Sequence, residues 1–177
     1  MEKTNYCWRI IFLYGITLGI ALVIHALLIF WTSYVAQYSF IVTHLLMFIV
    51  TFAGLYEYRK QQNGLLSRLE GWKIGFFINV VASFIVAIYT YFYIRYFDMD
   101  EIRRLVSVIQ SQISATSIFS EKEKQLQIVL YRDYLFTPLG LGIVNFFSNV
   151  VFGFLLSIMA TVFLYKKEKN DSETEQL

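Results

Sequence analysis

The sequence predicts an all-α integral membrane protein in which four helices form a bundle and a helical hairpin outside the membrane joins the third helix to the fourth. Its composition favours this fold class, because 57% of the 177 residues are hydrophobic and only 16% are charged. Soluble domains are about 25% charged, and one this short could not bury so much apolar surface. A second observation agrees with the composition, since the charges cluster between long uncharged runs.

Four of these uncharged runs are long enough to cross a bilayer, which takes roughly 20 residues for ~30 Å of hydrocarbon. The stretch between residues 10 and 56 carries no charge and is too long for one helix, and the polar segment 32–39 divides it. We therefore predict a single membrane domain over residues 1–177, a disordered tail at about 168–177, and spans at about 10–31, 40–56, 72–93 and 139–165.

Two other interpretations of the apolar runs fail. A cleaved signal peptide is excluded because the first run is too long and no small-residue cleavage site follows it. A β-barrel is excluded because barrel strands alternate apolar and polar residues, whereas these runs are apolar at consecutive positions.

The distribution of lysine and arginine predicts the orientation, because these residues are enriched on the cytoplasmic side. With four spans, nine of them fall on the side that holds both termini and the connection between spans two and three. The other six lie between residues 95 and 132, where acidic residues match them. We therefore expect both termini to face the cytoplasm.

The segment 98–137 is too long for a structureless connection. Asp98 with Glu101, and Ser120 with Glu123, have the spacing of capping boxes, and apolar residues recur after each at helical spacing. We predict two amphipathic helices outside the membrane, joined around residues 114–117. They either fold over the bundle or the membrane surface, or they form a recognition surface for a partner or ligand.

Small and polar residues form stripes at steps of four along the last two spans. Membrane helices pack through such residues, because small side chains let two backbones approach. The stripes predict helix–helix contact, with a polar cavity for a lipid headgroup or small solute as the other interpretation. The first span adds the pair Gly15 and Gly19, and the stripes comprise Gly71, Gly75, Asn79 and Ser83 in span three and Asn145, Asn149, Gly153 and Ser157 in span four.

The two histidines, His25 and His44, are weak polar candidates within the membrane. They lie at comparable depths in the first two spans, and two histidines can ligate haem iron. Neither belongs to a cluster of metal ligands, and the single cysteine, Cys7, excludes an internal disulfide and a cysteine metal cluster. We expect no cofactor, no metal and no catalytic residue.

The charged residues exclude several classes of function. No Asp, Glu, Lys or Arg lies deep within a predicted span, whereas proton pumps and ion-coupled transporters normally need one. The net charge of +2 comes without the basic stripe that nucleic-acid binding requires. Candidates for membrane-surface chemistry are Glu57, Arg59 and Glu70, which we interpret as anchors of the span ends, so we do not expect an enzyme.

Short motifs frame the third span: Tyr58-Arg59-Lys60, Asn63-Gly64-Leu65-Leu66-Ser67, Gly71-Trp72-Lys73-Ile74-Gly75 and Tyr93-Ile94-Arg95-Tyr96-Phe97-Asp98-Met99-Asp100. With the basic cluster Tyr165-Lys166-Lys167 after the fourth span, this arrangement resembles the bacterial inner-membrane family called "domain of unknown function 4199", over essentially the whole chain. Arg68 departs from the pattern, which has a bulky apolar residue after the serine. The resemblance implies a topology and a bacterial inner-membrane location, and no established function.

The predicted function is therefore coarse. We expect a multi-pass inner-membrane protein that acts as a non-enzymatic scaffold or accessory subunit. Its partners would be the lipid bilayer and either another membrane protein or further copies of itself, without nucleic acid. The alternative is a binder or carrier of a lipid or small apolar molecule, using the polar face of spans three and four.

Overall fold

The computed structural model describes residues 2–31 and 38–166, without the side chains of residues 2–5, 30, 31 and 101. The polar connection at 32–37 and the predicted disordered tail at 168–177 lie outside the described residues, as does the predicted pairing of Asp98 with the Glu101 side chain.

The described chain is all-α, as predicted, and contains no strand in residues 2–31 and 38–166. One isolated antiparallel bridge joins Leu66 to Lys166. The helices are α1 (Glu2–Trp31), α2 (Ser39–Gln61), α3 (Arg68–Tyr96), α4 (Met99–Ala115), α5 (Glu121–Leu130) and α6 (Pro138–Leu164).

Within residues 2–31 and 38–166, four helices are long and apolar enough to cross a membrane, namely α1, α2, α3 and α6. Many of their large apolar side chains are exposed, including Phe12, Ile49 and Val162, as expected of helices whose solvent is lipid. The helices α2 and α3 extend beyond the predicted spans by several residues, because hydropathy marks only the part in hydrocarbon while backbone hydrogen bonding continues into the headgroup layer. The chain is an all-α multi-pass membrane protein.

The chain divides into two compact units. The first unit, Met1–Ala82 with Asn149–Leu177, holds α1, α2, the first half of α3 and the second half of α6. The second unit, Ser83–Ser148, holds the other halves of α3 and α6 together with α4 and α5.

Glycines set the close packing of α1 in the first unit. An added methyl group at Gly15 would lie 2.7 Å from Cβ of Val81 and 3.0 Å from the carbonyl oxygen of Ile78, both on α3. Gly54 on α2 is as crowded, with Tyr14 of α1 at 3.0 Å and the Ile78 side chain at 2.9 Å. Gly15 of the predicted glycine pair therefore serves packing within the chain.

The helices α4 and α5 of the second unit contact each other and form a helical hairpin. The predicted capping box at the start of α5 is confirmed: the Ser120 hydroxyl accepts the Glu123 amide, and the Glu123 carboxylate accepts the Ser120 amide at 2.8 Å. The bonds from Ser120 hold the pKa of Glu123 below its ordinary value. The ammonium group of Lys124 closes the hairpin, donating to the Ser114 carbonyl of α4 and pairing with Glu121.

A π-helical turn, Tyr131–Leu135, follows α5 directly. The amide of Phe136 donates to the Tyr131 carbonyl at 2.7 Å, which closes the wider turn. Thr137 then begins the next helix, because its hydroxyl accepts the Gly140 amide at 2.9 Å. Threonine at this position satisfies one of the amides that a helix start leaves without an intrahelical partner.

Candidate functional site

The predicted stripes of α3 and α6 meet each other in the first unit, in antiparallel order. At one end of the contact, Gly71 faces Thr161, and an added methyl group at Gly71 would lie 2.5 Å from the Thr161 methyl carbon. The Thr161 hydroxyl is not left without a partner, since it donates to the Ser157 carbonyl at 2.7 Å. No side chain larger than hydrogen fits at position 71.

One turn further along, Gly75 lies against α6 and α2. A methyl group at Gly75 would lie 2.8 Å from both Cβ and Oγ of Ser157 and 3.3 Å from the Thr51 methyl carbon. The Ser157 hydroxyl donates to the Gly153 carbonyl at 2.6 Å. Thr51 and Ser157 are fully buried, so three helices converge on one glycine.

The next turn places Asn79, which is fully buried, at the centre of the contact. Its amide nitrogen lies within hydrogen-bonding distance of four acceptors. Two are the carbonyl oxygens of Gly75 at 2.9 Å and Gly153 at 3.4 Å, and two are the hydroxyls of Thr51 at 3.0 Å and Ser157 at 3.3 Å. The two N–H groups of one side chain therefore join α3 to both α2 and α6.

Gly153 is the tightest point of this interface. A methyl group there would lie 2.4 Å from Cβ and 2.5 Å from Cγ of Asn79. Because Gly71, Gly75 and Gly153 each lack room for a single carbon, no ligand fits between these faces. This geometry favours helix packing as the role of the stripe residues in the first unit.

The remaining stripe residues extend toward and into the second unit. Ser83 is buried and Asn149 is half-buried. Asn145 of α6 donates from its amide to the hydroxyl of Thr90 on α3 at 2.9 Å. The pairing of small and polar residues between α3 and α6 therefore also occurs in the second unit.

The sequence did not predict that three further polar residues take part in these helix contacts, namely Thr51, Thr90 and Thr161. The sequence contains a signal for Thr161, because it continues the four-residue steps of Asn149, Gly153 and Ser157. Thr51 and Thr90 are isolated polar residues in apolar spans, and isolated residues have no periodicity that would mark them.

His44 is held by α2 and α6 in the first unit. Its ring lies against Phe40, with the centroids 4.1 Å apart, and edge-on to Phe152 at 4.5 Å. Its Nδ1 lies 2.6 Å from the Phe40 carbonyl oxygen, so Nδ1 carries the proton and donates. Its Nε2 is buried without a hydrogen-bond partner in the described chain.

His25 is 7% exposed, and its Nε2 also has no hydrogen-bond partner among the described residues. Tyr14 of α1 packs on Gly54 of α2. His25 and His44 each lie about ten residues from that contact, along helices that run antiparallel. Since a helix rises ~1.5 Å per residue, the two histidines lie at similar depths along the helix pair. The described contacts do not bring the two rings together, and the described residues contain no group of three or more potential metal ligands.

The second unit contains a cavity of about 470 Å³ between its halves of α3 and α6. Gly142 keeps the helices close beside it, since a methyl group there would lie 3.2 Å from the Ala87 carbonyl oxygen. The cavity lining is apolar and largely aromatic, and most of it is exposed; it includes Phe84, Ile88, Phe92, Leu139, Ile143 and Phe147.

The connection between α2 and α3 forms a structured turn, which we call the inner turn (residues 59–68). The Gly64 amide donates to the Arg59 carbonyl at 3.0 Å, and Nε of Arg59 donates back to the Gly64 carbonyl at 2.9 Å. Asn63 and Gly64 have φ values of 54° and 80°. Both lie in the left-handed region, which glycine and asparagine adopt at the least steric cost.

The inner turn is fastened to the end of α6. Leu66 and Lys166 exchange backbone hydrogen bonds at 3.1 and 3.2 Å, and Leu66 is almost fully buried. The Arg68 guanidinium lies 4.7 Å from the centre of the Tyr165 ring, a distance typical of a cation–π contact. Arg68 therefore has a defined structural role.

A second cavity, of about 270 Å³, lies at the inner turn. Tyr56, Arg59, Lys60 and Gly64 line it. The three side chains come from one face of the last turn of α2, because residues three and four apart are neighbours on a helix.

The carboxylates that the sequence analysis considered for surface chemistry have local partners. Glu57 accepts from the hydroxyl of Tyr6 at 3.5 Å and the amide of Gln61 at 3.4 Å. Glu70 accepts from the Ser67 hydroxyl, which in turn accepts the Glu70 amide. The described hydrogen bonds do not connect Arg59 to either carboxylate, and the Ser67–Glu70 pair caps the start of α3.

In the described part of the chain, four apolar helices and polar side chains that form contacts between helices define an all-α multi-pass membrane protein. Residues 13–166 match the model of the family described as "Protein of unknown function (DUF4199)". Since the match covers most of the chain, the protein belongs to that family, as its motifs predicted. No curated protein and no solved structure matches the chain.

Proposed function

We propose that this protein is a non-enzymatic scaffold or accessory subunit of the bacterial inner membrane that binds a membrane-protein partner through its α4–α5 hairpin. Both termini lie in the cytoplasm in this proposal, which places the basic inner turn inside and the hairpin outside. The observation that carries the proposal is an exposed apolar ridge on a capped and closed hairpin.

The hairpin ridge consists of Leu126, Leu130 and Tyr134, which follow each other at steps of four and are 60%, 45% and 70% exposed. A helix in water normally turns such residues inward. Ile118, in the connection between α4 and α5, is 83% exposed. An exposed apolar surface of this kind is typical of an interaction site.

The charges of the hairpin favour a protein partner over the lipid surface. Helices that bind anionic membranes have a basic polar face, whereas residues 98–137 contain five Lys and Arg against six Asp and Glu. Several of these charges are paired locally, with Arg132 on Asp133 at 2.7 Å and Arg103 on Asp100 at 3.1 Å. The part of the hairpin that these local pairs leave uncovered is therefore its apolar surface. An apolar helix face of another membrane protein would complement that surface.

Site-specific photo-crosslinking in the native host tests the proposal. With a photoreactive benzoyl-phenylalanine in place of Leu126, we expect irradiation to yield one discrete protein adduct. The matched control is the same residue in place of Gln125, which is also exposed but lies off the ridge, and there the adduct should be absent. Adducts of equal yield at both positions, or lipid adducts alone at position 126, would contradict the proposal.

A second candidate function is the binding of a lipid chain or small apolar molecule, and the cavity of the second unit favours it. Its volume lies within the ~300–1,000 Å³ typical of ligand pockets. Its lining offers aromatic surface without a charged group, which suits an apolar ligand.

The same photoreactive residue in place of Phe147, which lines the cavity, separates the two candidates. A binder would yield an adduct of one small mass that survives purification. The comparison position is Val144, exposed on the same helix but outside the lining. A scaffold without a bound ligand would give the same mixture of bulk lipids at both positions.

A further inference from the structure

We propose that the cavity at the inner turn is a binding site for the phosphate group of an anionic phospholipid. The site consists of the Arg59 guanidinium, the Lys60 ammonium and the Tyr56 hydroxyl around the turn at Gly64. The inference rests on the orientation of the proposed function, in which the inner turn faces the cytoplasm, but not on the hairpin or on the partner proposed for it.

The shape and chemistry of the cavity suit a phosphate. Its volume is about 270 Å³, and three hydrogen-bond donors and a glycine line it. Among the described residues, no carboxylate belongs to the lining. Around Gly64, an added methyl group would meet nothing within 4 Å, so the backbone leaves the entrance open. A guanidinium, an ammonium and a phenol on one helix face can together bond several oxygens of one phosphate.

The fold orients Arg59 for this role. Its Nε donates to the Gly64 carbonyl, which fixes the guanidinium plane and leaves the two terminal nitrogens for a ligand. In the described part of the chain, neither Arg59 nor Lys60 forms an ion pair. Arg59 is half-buried, and a positive charge held partly away from water without a counter-ion favours an anionic ligand.

The position of the cavity along α2 points to a lipid as the source of the phosphate. Tyr56 is exposed at the end of the uncharged part of α2, and tyrosine rings concentrate at the headgroup layer of a bilayer. Arg59 and Lys60 lie one turn beyond it, and if the Tyr56 ring lies in the headgroup layer, they lie at the level of the lipid phosphates. Basic pockets at the ends of membrane helices on the cytoplasmic side commonly bind acidic headgroups.

The other role of basic residues in the last turn of a helix is to neutralise the helix dipole. That role depends on charge and not on the cavity. A site for phosphate depends on both, so a change that keeps the charge and alters the geometry separates the two roles.

Titration of the purified full-length protein with phosphatidylglycerol, followed by native mass spectrometry in a non-ionic detergent, tests the proposal. We expect Lys60→Gln to weaken binding about tenfold, because it removes a charge-assisted hydrogen bond to the phosphate. Arg59→Lys keeps the charge but removes the fixed fork, and we expect a similar loss. The control is Lys73→Gln, which removes one exposed charge outside the cavity lining and should leave binding unchanged.

Equal losses in Lys60→Gln and Lys73→Gln, or full binding by Arg59→Lys, would show attraction by overall charge and overturn the proposal. Phosphatidylcholine, which has no net charge, should bind much more weakly, and equal binding would also overturn it. Inorganic phosphate is added in a separate titration. If it displaces phosphatidylglycerol at low concentration, the site takes free phosphate and the lipid assignment is wrong.

Discussion

Replacement of Asn79 by aspartate is expected to destabilise the protein by about 3 kcal/mol or more, the cost of an uncompensated charge in a buried site. The substitution keeps the shape and exchanges an amide donor for a carboxylate. The carbonyls of Gly75 and Gly153 face this position and cannot donate. The Ser157 hydroxyl already donates to the Gly153 carbonyl, so the Thr51 hydroxyl alone could turn toward the carboxylate, and oxygen would still oppose oxygen in the centre of three helices. Thermal unfolding in detergent measures the loss.

Asn145→Asp is the matched control for this prediction. Asn145 is only half-buried, and its described partner is the hydroxyl of Thr90, which can rotate and donate to a carboxylate. We expect this variant to lose much less stability than Asn79→Asp. Equal losses of stability in Asn79→Asp and Asn145→Asp would mean that α3 and α6 tolerate an acidic residue equally poorly at either position. That result would refute the central role of Asn79.

Replacement of Gly153 by alanine is expected to cost about 2 kcal/mol, as overpacking of a tight interface does. The added methyl group meets Cβ and Cγ of Asn79 at 2.4 and 2.5 Å, and these atoms lie at the fixed base of a side chain bonded to two other helices. Relief requires α3 and α6 to separate, which lengthens the bonds of the Asn79 amide.

Gly142→Ala, the same change in the same helix, is the comparison for Gly153→Ala. Its methyl group meets the Ala87 carbonyl oxygen at 3.2 Å, which a small shift relieves, so the stability should fall by less than about 1 kcal/mol. Unfolding temperatures measured side by side give the difference. A greater loss in Gly142→Ala would show that the clearance at Gly153 does not decide the packing.

Much of the fold could be predicted because its signals are local in the chain. Hydropathy identified the four spans, and the spacing of Ser120 and Glu123 located the start of α5. The four-residue steps of Gly71, Gly75 and Asn79 correctly placed them on one helix face, since a helix repeats about every 3.6 residues.

Features that depend on contacts between distant residues could not be predicted in the same way. The sequence contained no sign that Gly153 would meet Asn79, because that register depends on how α3 and α6 slide along each other. The reciprocal bonds between Arg59 and Gly64 need two residues in left-handed conformation, which the Asn63-Gly64 pair permits but does not require. The apolar cavity of the second unit arises from a gap between helices, and its residues are those of any lipid-facing surface.

The sequence predicted some of the candidate sites more fully than others. The stripes had been given two interpretations, packing and a polar ligand face, and the clearances at Gly71 and Gly75 favour the first. The similar depth of His25 and His44 followed from span lengths, whereas the edge-on contact of His44 with Phe152 did not. From the sequence, Arg59 is a candidate for membrane-surface chemistry that is interpreted as an anchor, and Lys60 has no individual role, because their orientation toward a common cavity is a property of the folded turn.

The glycine and polar stripes of α3 and α6 form a close helix contact in the first unit. A disulfide between Gly71→Cys and Thr161→Cys, in a Cys7→Ser background, tests it most directly in native membranes. The two Cβ positions lie 3.1 Å apart, slightly below the ~3.5–4.5 Å of disulfides. Thr161→Cys removes the methyl group that crowds position 71, so a shift of a few tenths of an ångström admits the bond. We predict rapid, nearly complete intramolecular crosslinking with mild oxidant, read out by loss of thiol alkylation and by its absence in both single-cysteine variants. Cysteines that stay reduced and open to alkylation would show that the two faces lie apart, and the account would be contradicted.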